Sequence, residues 1–321
     1  MTKRIIPIVL AAALALPAAC TRETPAPSPP ESAGTVIEYA PIRENTLYEY
    51  EGENISFSIY TTIVNGSRVQ RRTDVSNGTV STEVLQYEDG ALKLIYGDPL
   101  VNFYEDITGF ESNGEMLLLQ EPLYPGAMWE ADINSVSLVP YVDEPIETPY
   151  GNFETLIVAT NYTDGRIQKI YYAKGVGVVR MSYLQSDETE IVINLKNIVE
   201  DAPLEVSLNV YTADASASVE AETRSLSLGT NADLKKILET ELKIAPEGRL
   251  PLLTANTSIN SITVDRSENA LTLDLNQAFD DGSASAECLG KTLGEFYGVS
   301  RVIISVAGAE LTTVTVTPNE G

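Results

Sequence analysis

The 321-residue chain contains no histidine. That absence removes Ser-His-Asp and Cys-His mechanisms, His-ligated zinc and the commonest general base near neutral pH. Cysteine is almost missing too: Cys20 and Cys288 are the two, too few to form a metal cluster by themselves. Positive charge is scarce, with 21 Lys and Arg against 46 Asp and Glu and a formal net charge of −25. A surface of that sign is repelled by nucleic acid and by anionic headgroups, so no DNA or RNA partner is expected. The apolar run Ile5 to Leu16 is too short for a membrane span, which needs about 20 residues. What remains is ordinary: 43% apolar residues can bury a core, and the length suits about two domains.

The N-terminus reads as an export signal. Lys3 and Arg4 precede the apolar run, and small residues lead to Cys20. Ala18-Ala19-Cys20 resembles a bacterial lipobox, although Pro17 stands where that signal usually has Leu, with Leu16 one place earlier. The resemblance implies a signal peptide over 1–19 and lipidation of Cys20 by a diacylglyceryl group with palmitate-type chains. It also implies a place on the extracytoplasmic face of the bacterial cell membrane. A plain secretory signal with an incidental cysteine, or an uncleaved anchor, is the alternative. Residues 20–36, rich in Pro, Ser and Thr, are expected to be an extended tether.

Residues 37–200 carry strand signals. Asn65-Gly66, Asn77-Gly78, Asp89-Gly90, Asn113-Gly114 and Asp164-Gly165 suit tight hairpins. The runs between them, such as ISFSIYTTIV and RIQKIYYA, favour strands, and several alternate apolar with polar residues. An antiparallel curved β-sheet or partly open barrel is expected. The stretches YAPIRENTLYEYEGE and ETPYGNFETLIVATN resemble a β-rich module of bacterial envelope lipoproteins. Tyr39, Tyr48, Tyr50, Tyr60, Tyr87, Tyr96, Tyr104, Tyr171 and Tyr172 could line a groove for glycan or lipid. The favoured reading makes them ordinary strand residues, ring in the core and hydroxyl at the rim. AKGVGVV at 173–179 lacks G-x-G-x-x-G spacing and reads as a bulge or close strand contact.

Residues 204–318 alternate strands with helices, making the whole chain α+β. A helix is expected over 230–244, capped by Thr230 or Asn231, and a second over 283–297, closed by Gly298. Gly290-Lys291-Thr292 is not a P-loop: the earlier glycine would fall at position 285, which is Ser, and the triplet lies inside the helix. Cys288 has no histidine to activate it and is expected to lie off the apolar stripe, with a structural or incidental role. The Leu-Pro segment, SINSITV, LTLDLNQAF, Thr292-Leu293-Gly294-Glu295-Phe296 and Val302 through Gly308 together resemble the GerMN domain of sporulation and spore-germination lipoproteins. The resemblance implies a small α/β sandwich with two helices on one sheet, no catalytic residues and a role in interaction. A protein partner in the cell envelope and a homo-oligomer both follow from it as expectations.

The leading expectation is therefore a non-catalytic, membrane-anchored envelope lipoprotein acting as an interaction or assembly module in sporulation or germination. No cofactor, metal or catalytic residue is assigned. The alternative is a carrier or binder of a lipid or cell-wall glycan held by the curved N-terminal sheet. A buried apolar cavity with inward tyrosines would favour the carrier, and a filled core would favour assembly. A hydrolase using Asp280-Asp281 or Asp143-Glu144 would need two carboxylates facing across a groove; these pairs are expected to be solvated loop charge. The anchor can be tested directly. Cys20→Ser should convert a detergent-partitioning, membrane-bound product into a soluble or unprocessed one, and unchanged membrane attachment with full processing would refute lipidation.

Overall fold

In a computed structural model, residues 31–98, 105–214, 216–279 and 283–317 are described. Cys20, Tyr104, Asp280 and Asp281 lie outside them. No helix among the described residues is long and apolar enough to cross a membrane.

A four-residue helix, α1 (Val36–Tyr39), precedes thirteen strands. The first six are β1 (Leu47–Gly52), β2 (Ser56–Asn65), β3 (Arg68–Val75), β4 (Val80–Glu88), β5 (Ala91–Asp98) and β6 (Met116–Gln120). The other seven are β7 (Met128–Asp132), β8 (Ser135–Leu138), β9 (Glu144–Glu147), β10 (Asn152–Tyr162), β11 (Ile167–Ala173), β12 (Gly177–Leu184) and β13 (Glu190–Val199). They pair in the order β6-β5-β4-β3-β2-β1-β13-β12-β11-β10-β8-β7, with β9 beside the first part of β10. The two arms meet again at β6 and β7, where the Trp129 indole N–H donates to the Leu117 carbonyl at 2.9 Å. The result is a nearly closed antiparallel barrel, as the hairpin signals predict. Four of the five Asn-Gly and Asp-Gly pairs sit in hairpin turns. At Asp89-Gly90 both residues have positive φ, 50° and 71°, which matches the twist of the flanking strands. Asn113-Gly114 departs from the expectation. The Asn113 side chain accepts from Gly97 N–H and donates to Gly97 carbonyl, continuing the pairing of β5 instead of turning the chain.

Residues 32–43 form a strap across one end of the barrel. Residues 32–36, which composition assigns to the tether, are held here. Ala33 N–H donates to the Leu123 carbonyl at 2.6 Å and Val36 N–H to Glu121 at 2.6 Å. Thr35 and Glu38 form a capping box around α1, and Val36 and Tyr39 are buried against the barrel core. Glycine-rich residues 173–179 receive the strap: Gly175 N–H donates to the Glu38 carbonyl, and Arg43 donates to the Gly175 carbonyl.

The remaining chain forms β14 (Leu204–Ala213), β15 (Val219–Leu228), α2 (Leu234–Leu242), β16 (Ile259–Asp265), β17 (Ala270–Leu275), α3 (Ser283–Tyr297), β18 (Arg301–Val306) and β19 (Ala309–Thr315). The sheet β16-β17-β18-β19 is antiparallel except for the β17-β18 pair. Parallel pairing there follows from the crossover through α3. Leu234, Leu238 and Leu242 of α2 join Leu289 and Leu293 of α3 in one core with Leu271, Leu273, Val302 and Ile304. The hairpin β14-β15 is a separate two-stranded sheet that packs against α3. This second contact corrects the placement of Cys288. It is 3% exposed, because α3 has β14 on one side and β18-β19 on the other.

Each residue of the Gly290-Lys291-Thr292 triplet serves packing. A Cβ at Gly290 would lie 2.5 Å from Val314 Cβ, so glycine lets α3 approach β19 closely. The Lys291 ammonium sits 4.1 Å from the Tyr211 ring centroid. The buried Thr292 hydroxyl accepts the Tyr211 N–H at 3.0 Å. Glu295 completes the link by accepting from Asn209 and from the Tyr211 hydroxyl, both at 2.6 Å; this bond pushes the phenol up to about 12.

The barrel and the C-terminal part are stitched at β1 and β2. Tyr60, on the outer face of β2, belongs to the core of the C-terminal part. Asn45 accepts from Thr230 N–H at 2.8 Å, and its own N–H donates to the Thr230 hydroxyl at 2.9 Å. Asn231 accepts from Val64 N–H at 2.9 Å. Thr230 and Asn231 are thereby committed to the barrel. The cap of α2 is Asp233, whose carboxylate accepts from Lys236 N–H, not Thr230 or Asn231 as the sequence suggests.

This packing can be tested at two places. Gly290→Ala should destabilise the protein, because overpacking costs about 1–3 kcal/mol, while glycine-to-alanine in an unobstructed helix gains only about 1 kcal/mol. Adding Val314→Ala should recover part of the loss in denaturant titrations. Lys291→Ala should cost no more than about 1 kcal/mol, the scale of an exposed cation–π contact. At the junction, Asn45 has φ of 49°, so Asn45→Gly keeps the backbone and deletes the side-chain half of the stitch to Thr230. Leaving the Thr230 N–H without its acceptor should cost about 1–3 kcal/mol. In calorimetry, the variant should separate a transition that is coupled in the parent; identical thermograms would show that the stitch carries no coupling.

Candidate functional site: the barrel interior

Alternation along the strands decides what the barrel encloses. Phe57, Ile59 and Thr61 of β2, Val69, Arg71 and Thr73 of β3, and Leu92 and Leu94 of β5 share one face, with Ile170 and Tyr172 of β11 on the facing wall. The intervening Val84 and Ile95 face outward and pack against Ile107 in the covering segment 105–112. The inward side chains do not fill the barrel. They leave a cavity of about 400 Å³, a volume in the range of small-molecule sites. Ala40, Pro41 and Ile42 of the strap form part of its wall.

Tyrosines dominate the lining. Tyr48, Tyr50, Tyr87, Tyr162, Tyr172 and Tyr183 all contribute. The expectation of rings in the core and hydroxyls at the rim is corrected here, because these rings form the wall of a hollow. Several hydroxyls are already engaged: Tyr48 donates to the Val176 carbonyl, Tyr50 to Val178 and Tyr87 to Ala40, at 2.9, 2.9 and 3.0 Å. Tyr162 donates to Gln168 at 3.1 Å. Burial pushes the Tyr50 and Tyr172 phenols far up from their ordinary value, so both stay neutral donors at any physiological pH.

One charged pair stands among them. Arg71 and Glu83 are direct cross-strand partners on β3 and β4. Arg71 Nε donates to Glu83 Oε1 at 2.9 Å and Nη2 donates to the same oxygen. Among the described residues, Glu83 is the one carboxylate in the lining. A two-carboxylate hydrolytic arrangement is therefore not formed there, and Asp143 and Glu144 lie away from the cavity, Glu144 exposed at the start of β9. Among the described residues no group of three or more acidic or cysteine side chains could hold a metal ion.

Of the tyrosines that composition singles out, the structure brings Tyr48, Tyr50, Tyr87 and Tyr172 together. It places Tyr39 in the strap helix, Tyr60 on the outer face, and Tyr96 edge-on to Phe110 outside the cavity. Tyr171 lines a separate outer depression with Arg180. Arg71, Glu83, Tyr162 and Tyr183 are lining residues that the sequence pattern did not single out. A signal for the ion pair exists, since a hairpin centred on Asn77 sets residue 71 opposite residue 83.

The family comparison bears on the C-terminal part of the chain. Residues 209–312 match the Germane family, described as sporulation and spore germination, and form a Germane domain. Two solved structures show distant likeness. One is a candidate lipoprotein from Parabacteroides distasonis, at 13% identity and TM-score 0.32, covering 50% of this chain and 98% of its own. The other is a candidate exported protein with a YmcC-like fold from Bacteroides fragilis, at 14% identity and TM-score 0.35, covering 50% of this chain and 99% of its own. No curated protein matches.

Proposed function

We propose that this chain is a lipid-anchored protein of the bacterial envelope whose N-terminal barrel is a receptacle for a small apolar ligand. Its Germane domain ties that receptacle to a process of sporulation or germination. The observation that carries the reading is the hollow, tyrosine-lined barrel interior, the feature that separates a carrier from a filled assembly module. The lining is mainly apolar and aromatic with few polar groups, the ordinary constitution of a ligand site. Cys20 supplies the anchor in this reading, and the strap that follows the tether forms one wall of the receptacle. This reading assigns the protein no catalytic role and takes the process that the Germane description names as its context.

A second role, docking to a protein partner or another copy, is favoured by the outer face of the Germane sheet. Thr263 and Thr313 are exposed there, on strands whose opposite face packs on the helices. Among the described residues the outer strand β19 also leaves one edge without a partner strand, a ready surface for pairing.

The receptacle can be tested with N-phenyl-1-naphthylamine, a neutral dye that brightens in apolar surroundings. The folded protein should bind it saturably at near one dye per chain. Thr73→Trp, which places an indole among the inward residues of β3, should weaken dye binding at least about tenfold while the protein still melts cooperatively. Absence of saturable binding, or equal binding by the folded variant, would refute the reading.

A further inference from the structure

We infer that the ligand of the barrel is a neutral amphiphile: an alkyl or aromatic body bearing one uncharged group that both donates and accepts a hydrogen bond, such as an amide or hydroxyl, seated on Arg71 and Glu83. The inference rests on the receptacle reading and deepens it.

The ion pair uses only part of its own bonding capacity. The two Arg71 nitrogens that bond Glu83, Nε and Nη2, both donate to one oxygen, Oε1. Arg71 Nη1 and Glu83 Oε2 make no hydrogen bond to the described protein. The two side chains each keep 29% of their surface accessible, and both line the cavity. A charged pair removed from bulk water is costly unless its remaining donors and acceptors are satisfied. Stability alone gives no reason to retain it, since a cross-strand apolar pair would close the same two positions at lower cost. The free donor and the free acceptor instead present a matched dipole to whatever occupies the cavity. A group that accepts from Nη1 and donates to Oε2 satisfies both.

The charges explain why that group is neutral. Arg71 and Glu83 cancel. The third charged residue of the lining, Arg43, is exposed at the strap and donates to the Gly175 carbonyl. An entering carboxylate would compete with Glu83 for Arg71 and leave one of the two acids without a counter-charge. An ammonium group would do the same to Arg71. Beside the cancelled pair, and away from the exposed Arg43, either ion would lose its hydration with no net charge to receive it. The Tyr48, Tyr50 and Tyr87 hydroxyls already donate to backbone carbonyls and have no proton left for the ligand. These tyrosines offer ring faces to the body of the ligand, beside Phe57, Leu94 and Met181.

The test is displacement of N-phenyl-1-naphthylamine from the full-length folded protein at pH 7 by three molecules of equal chain length: dodecanamide, dodecanoate and dodecylammonium. Dodecanamide should displace the dye at least about tenfold more effectively than either ion. Glu83→Gln leaves Arg71 without its counter-charge, so it should shift the order toward dodecanoate. The double variant Arg71→Met with Glu83→Leu should still bind dye but treat the three competitors alike. Dye binding with no preference for the amide, or the same preference in the double variant, would overturn the inference and leave the receptacle standing. Failure of the wild-type protein to bind dye at all would overturn both.

Discussion

The architecture depends on the pairing of β1 with two neighbours at once. Its residues Leu47–Glu51 pair with β2, and Leu47–Gly52 pair with β13, the last strand of the barrel. Without the second pairing the N-terminal part would be two curved meanders, one running from β1 to β6 and the other from β7 to β13. With it they become arms of one sheet whose far ends meet at β6 and β7. Closure also removes the long free edges that an open sheet would expose. The cavity is a geometric consequence: the arms curl around inward side chains that do not fill the space between them. Tyr48 and Tyr50 lie on β1 itself and bridge the interior to the carbonyls of Val176 and Val178. Asn45, two residues before β1, holds the Germane side through Thr230. A single strand therefore fixes the barrel, part of the cavity wall and the junction.

Much of the fold was legible because it rests on local signals. Asn-Gly and Asp-Gly pairs mark four hairpins of the barrel, each with a glycine at positive φ, and the i, i+3, i+4 pattern marks α2. The second helix was legible in extent but not in surroundings. Periodicity shows one apolar face, and Cys288 lies off it, yet α3 is covered from two directions once β14-β15 folds over it. Cap assignment failed for a related reason. Thr230 and Asn231 have the chemistry of N-caps, but the barrel takes up their hydrogen-bonding groups, and Asp233 remains to cap the helix. A short polar side chain can serve any nearby backbone group, and local sequence cannot tell which one tertiary structure will bring.

The candidate site was legible only as composition. Tyrosines in strands have two outcomes, a filled core or a lined hollow, and these differ in total inward volume against barrel size. Neither quantity can be read from one strand. The ion pair was closer to hand. An arginine in an otherwise apolar inward row and a glutamate mirrored across Asn77 together specify a cross-strand pair by register alone. The informative residues for function were therefore the ones that break the pattern of their strand rather than the ones that make it.

Surface and interior charge act in the same direction on an anion and in opposite directions on a cation. Nearly all the acidic residues that produce the net charge of −25 lie outside the cavity, whose lining holds one carboxylate and that one paired. The outer field repels an anionic amphiphile during approach, an effect that salt screens beyond about 10 Å. Inside, screening is weak and the Arg71–Glu83 pair offers no net charge, so an anion that reached the cavity would still lose its hydration uncompensated. A cation would be drawn toward the surface but meet the same interior. The neutral molecule is the one that neither step penalises. Selection of this kind needs no shape-specific contacts, which suits a wall built mainly of aromatic and aliphatic side chains.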